Sequence, residues 1–82
     1  MEYPLYLILR WEASRNVWIR IGADKTYHLA DLFACGYEKG YREAKPEGKL
    51  QLRIVRWPNY PYPHELTTEE TVPYIAPTKG DL

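Results

Sequence analysis

Tyr3-Pro4-Leu5-Tyr6-Leu7-Ile8-Leu9-Arg10-Trp11-Glu12 is the stretch on which the fold turns. In an extended backbone Tyr3, Leu5, Leu7, Leu9 and Trp11 fall on one side and Tyr6, Ile8, Arg10 and Glu12 on the other, the two-residue period of a β-strand. Ala13 to Asn16 is short and polar. Beyond it Val17, Ile19 and Ile21 alternate with Trp18 and Arg20. The two runs therefore predict a β-hairpin with a loop of about four residues, closed by Gly22.

The period then changes. Asp24 or Thr26 can cap a helix, and Leu29, Leu32, Phe33, Gly36, Gly40 and Ala44 recur at three- and four-residue spacing until Pro46 and Gly48. The spacing predicts a helix over 26–45. Each interior glycine costs roughly 1 kcal/mol against alanine. Gly36 and Gly40 are therefore expected on the buried stripe, where a missing side chain lets the helix approach a sheet. Ala30, Ala34, Tyr37 and Tyr41 form a flank beside that stripe, read as the margin of the core. From Lys49 to Trp57 the two-residue period returns, with Leu50, Leu52 and Ile54 on one side and Gln51, Arg53, Val55 and Trp57 on the other.

These elements predict an α+β fold: a three-stranded antiparallel sheet in ββαβ order, one helix packed on one face, and an extended tail rich in proline and tyrosine. Residues 1–57 form the ββαβ domain and residues 58–82 the tail. Pro58, Pro61, Pro63, Pro73 and Pro77 break helices and forbid a central strand there. Tyr60, Tyr62, Leu66, Val72, Tyr74 and Ile75 are too apolar for a pure linker, so part of the tail should lie on the domain or on a partner.

One helix covers one face, taken to be that of Leu5, Leu7, Leu9, Val17, Ile19, Ile21, Leu50, Leu52 and Ile54. Subtraction leaves Tyr6, Ile8, Arg10, Trp18, Arg20, Arg53, Val55 and Trp57 on the other, a patch too apolar to stay bare. Three coverings compete. The tail can fold back over it; a protein partner or a second copy can dock there; or a single-stranded nucleic acid can stack on Tyr6, Trp18 and Trp57.

Composition narrows the function. Eleven basic and eleven acidic residues cancel, so no whole-molecule attraction to nucleic acid or anionic membrane is expected. Glu65, Glu69, Glu70 and Asp81 make the tail locally acidic, read as a solvated surface. Cys35 stands alone, which excludes a disulfide framework and fits a reducing compartment. His28 and His64 have no further metal-ligand residues at suitable spacing, and phosphate loops, nucleophile elbows and facing carboxylates are missing. No enzyme, cofactor, metal or membrane partner is expected, and the reading is cytoplasmic, in a host cytoplasm if the protein is viral.

Met1-Glu2-Tyr3-Pro4-Leu5-Tyr6-Leu7-Ile8 resembles the first strand of the antitoxin half of Hic toxin/antitoxin pairs, and the hairpin-then-helix order is similar. The Pro-Gly-Cys segment that such antitoxins carry after their second strand is missing, and no function is carried over. In size, tyrosine usage and the run Gly36-Tyr37-Glu38-Lys39-Gly40-Tyr41-Arg42, the chain also resembles small accessory proteins of bacterial viruses. That resemblance implies binding and disabling a host machine, for example an RNA polymerase or a CRISPR effector. The expected function is a non-enzymatic protein-binding module acting through Tyr6, Arg10, Trp18, Arg20, Arg53, Trp57, Tyr60 and Tyr62. The alternative is a single-stranded nucleic-acid binder using the same sheet face.

Overall fold

Alternation builds the hairpin where it is expected. In a computed structural model, which describes residues 4–75, strands β1 (Leu5–Glu12) and β2 (Val17–Asp24) pair antiparallel around a four-residue turn. Asn16 closes that turn at φ 56°, a left-handed conformation that asparagine tolerates better than most residues. Helix α1 (Tyr27–Ala44) follows. Thr26 caps it, its hydroxyl accepting from the Leu29 amide at 3.2 Å, and Lys45 ends it just before Pro46. Strand β3 (Leu52–Trp57) returns antiparallel to β1 and begins three residues later than Lys49, where the sequence pattern starts it.

The sheet has four strands, not the three expected, in the order β3-β1-β2-β4. Strand β4 (Glu65–Leu66) comes from the proline-rich segment and pairs with Trp18 and Ile19 of β2. Two residues are too few to show a period, so nothing in the sequence announces it. Nor is the segment uniformly extended. Thr67 and Glu70 form a reciprocal capping box on a one-turn helix, α2 (Thr68–Thr71), and a 3-10 turn (Val72–Tyr74) with Pro73 near its start completes the described chain. Tyr3, Pro77 and Asp81, named above, lie outside the described residues.

The faces also sort differently from the expectation. Leu5, Leu7 and Leu9 do not face α1. A four-residue turn places Glu12 opposite Val17, so Trp11 opposes Trp18 and Leu9 opposes Arg20. Residues that oppose one another share a face. On the other side of β1, Leu7 opposes Val55 and Leu5 opposes Trp57. One face thus carries Leu5, Leu7, Leu9, Trp11, Trp18, Arg20, Arg53, Val55 and Trp57. The opposite face carries Tyr6, Ile8, Arg10, Val17, Ile19, Leu52 and Ile54. A bulge between Ile8 and Leu9 leaves Ile21 without an opposite number and puts Gly22 across from Ile8.

Helix α1 covers this second face. Tyr6 meets Tyr27 edge-on with ring centres 5.9 Å apart, and Ile8 and Ala30 are fully buried. The Phe33 ring lies 3.0 Å from where a Gly22 Cβ would stand, so any larger residue there would have to push the ring aside. The first face is covered by the residues after Trp57. Leu7, Leu9, Trp18, Val55 and Leu66 form the buried cluster, with Tyr62 and Tyr74 packed against it.

Candidate partner-docking surface

The sequence-named site residues are divided between the two faces. Tyr6 and Arg10 lie on the sheet face toward α1, and the other sheet residues lie on the face covered by the C-terminal segment. Trp18 is 4% exposed: its indole N–H donates to the Thr68 hydroxyl at 3.1 Å, and Arg53 sits 4.5 Å over its ring. Arg53 in turn donates to the Thr71 hydroxyl at 2.6 Å, and that hydroxyl donates to the Thr68 carbonyl at 2.7 Å. Thr71 is fully buried, so this chain satisfies polar groups that burial would otherwise penalise.

Trp57 meets Tyr74, with ring centres 4.5 Å apart. Arg20 donates to the Tyr62 carbonyl at 3.1 Å and lies 3.2 Å from the His64 ring, while its own amide donates to the His64 carbonyl. Tyr62 is half-buried on the core, whereas Tyr60 beside it is open to solvent. Arg10 reaches Glu12 at 3.4 Å. Tyr6, Trp18 and Trp57 do not assemble into one open stacking platform: the first faces α1 and the other two are roofed.

The uncovered apolar surface is on the helix. Residues spaced to meet the sheet are Tyr27, Ala30, Ala34, Tyr37 and Tyr41, all buried or half-buried, so the flank read as a margin is the packing side. Gly36 and Gly40 do not face the sheet. Both are exposed, and a Cβ added to either would meet nothing within 4 Å. They share the outer arc of α1 with Leu29 and Leu32, which are 45% and 54% exposed, while Phe33, 41% exposed, lies at the margin with its ring beside Gly22 of β2 and stacked on Tyr37. The helix is apolar on two opposite sides, and periodicity alone does not say which side the sheet takes. The missed signal is the second stripe, the alanines and tyrosines at 27, 30, 34, 37 and 41, whose small residues suit close packing on a sheet.

A groove of about 370 Å³ runs between α1 and β3, lined by Tyr27, Ala34, Cys35, Glu38, Leu52 and Ile54 among others. Among the described residues no three histidine, cysteine or acidic side chains gather at metal-binding distance, and no helix is long and apolar enough to cross a membrane. Scattered apolar side chains are normal on a protein surface; here Leu29 and Leu32 share one side of a helix with two glycines. Compared with family models, curated proteins and solved structures, the chain has no match.

Proposed function

We propose that the chain is a non-enzymatic protein-binding module that docks a folded partner on the outer arc of α1. The observation that carries this is the arc Leu29, Leu32, Gly36 and Gly40, with Phe33 at its margin, exposed on a helix whose opposite side packs on the sheet through Ala30 and its neighbours. Its two glycines leave a shallow trough in which a partner's side chains can approach the backbone, the ridge-and-groove contact through which helices pack. Size and tyrosine usage resemble viral accessory proteins. This supports a role that consists of occupying another protein's surface.

The test is capture from a bacterial lysate on the immobilised full chain, run beside Leu32→Glu and, as a control off the arc, Arg56→Ala. A stoichiometric protein held by wild type and Arg56→Ala but released by Leu32→Glu supports the reading. Capture that ignores Leu32→Glu, or no capture together with a strictly monomeric chain, overturns it.

A further inference from the structure

We infer that the occupant of this arc is a second copy of the chain, the two α1 helices crossing antiparallel near Gly36. The inference rests on reading the arc as a docking surface and names its partner. Shape is the first argument. The bulk of the arc, Leu29 and Leu32, lies in the N-terminal half of α1, and its hollows, Gly36 and Gly40, lie in the C-terminal half. Antiparallel crossing at Gly36 lays bulk on hollow, with Leu32 of each copy over Gly40 of the other and the two Gly36 backbones in close approach. A parallel pair would set bulk on bulk. Such a contact is isologous and closes at two copies.

Charge is the second argument and is independent of the first. Lys25 and His28 border the N-terminal end of the arc, and Glu43 borders its C-terminal end. The first turn of α1 contains no acidic residue. Only the first turn departs from the preference of a lone helix, which favours acids at its start and bases at its end, because Arg42 stands in the last turn and Lys45 at the C-cap. The bases of the last turns point elsewhere: Arg42 pairs with Glu38 at 3.6 Å, and Lys45 sits over the Tyr41 ring. An antiparallel copy crossing at Gly36 brings Glu43 of one chain opposite Leu29 of the other, beside His28 and about one turn from Lys25, and sets the two helix dipoles antiparallel. From Leu29 to Glu43 the contact spans about 21 Å at the helical rise. A single helix pair of that length lies at the small end of specific interfaces, so dimer and monomer should exchange reversibly in the micromolar range.

Sedimentation equilibrium of the full chain from low micromolar to several hundred micromolar tests this. Wild type should move from one to two chain masses over that range. Gly36→Leu has open space around it in the single chain, so circular dichroism should show it folded, yet it should weaken the dimer at least about tenfold by forcing the helices apart. Glu43→Lys should weaken it roughly two- to fivefold, and Lys25→Glu added to Glu43→Lys should recover most of that loss. A wild type that remains one chain mass throughout overturns the inference. So does a folded Gly36→Leu that dimerises like wild type, or a double reversal that recovers nothing. If the chain is monomeric while Leu32→Glu still releases a lysate partner, self-association fails and the docking reading stands.

Discussion

Arg53 sits over the Trp18 ring at 4.5 Å while its Nη1 holds the Thr71 hydroxyl at 2.6 Å, so one side chain joins β3, β2 and α2. The contact is half-buried, where a guanidinium on an indole face is worth more than in open water. Replacing Arg53 with methionine keeps an apolar stem and removes both interactions, which should cost roughly 1–3 kcal/mol. Arg53→Lys should recover little of it, because an ammonium cannot stack flat and donate sideways at once. Trp18→Ala empties a site in the main cluster, and its cost of about 3–5 kcal/mol approaches the whole stability of a domain this small. Urea denaturation followed by circular dichroism ranks the three, and equal midpoints for Arg53→Met and wild type would remove this joint from the account.

Two glycines should respond in opposite directions. Gly36→Ala adds a methyl group into open space and relieves backbone freedom, so at dilute protein it should stabilise by about 0.5–1 kcal/mol. Gly22→Leu drives a side chain into the Phe33 ring and should cost roughly 1–3 kcal/mol. Thermal melts at low micromolar concentration read both, and a Gly36→Ala that melts below wild type would show the helix rotated from the orientation described.

The segment after Trp57 should be indispensable to the fold. Ending the chain at Trp57 strips the cover from Leu7, Leu9, Trp18 and Val55 and removes Leu66 from the cluster. Such a fragment should unfold without a cooperative transition and bind a hydrophobic dye, as molten states do. A fragment 1–57 that melts sharply would show that α1 alone suffices to hold the sheet.

Thr26 closes the amino end of α1 with a side-chain bond that alanine cannot make. Thr26→Ala should therefore destabilise by about 1 kcal/mol, and Thr26→Asp should keep most of the stability. Denaturant midpoints of the two variants decide this, and an unchanged midpoint for alanine would mean the cap contributes nothing.

Much of this architecture is legible from residue type and spacing. The two-residue period places β1, β2 and β3, Thr26 and Pro46 bracket α1, and Ala13 to Asn16 form the turn. The pairing of faces was legible too, through the turn length. With four residues between Glu12 and Val17, every odd residue of β1 opposes an even residue of β2 near the turn, so Trp18 must share a face with Leu9 and Trp11 and not with Tyr6.

Other features leave no trace in the sequence. Strand β4 is too short for periodicity, and its pairing with β2 is settled by Leu66 filling a gap in the core. The rotation of α1 is a competition between two apolar stripes. Alanine and tyrosine win the sheet because small residues let the backbone approach while the tyrosines pack along the edges, leaving the leucines and glycines outside. A candidate surface inferred by subtraction inherits any error in the sorting of faces, which is why it groups Tyr6 with Trp18 although the two lie on opposite faces of the sheet.

The indole of Trp18 finds its hydrogen-bond partner fifty residues further along the chain. Until Thr68 has been added by the ribosome and has left its exit tunnel, the hairpin carries one unfilled side, and nothing made earlier can fill it. Contacts so distant in sequence slow the closing of a core and leave apolar surface accessible in the interval. A chain stopped short of Leu66 and Thr68 therefore leaves the side of the sheet bearing Leu7, Leu9, Trp18 and Val55 uncovered.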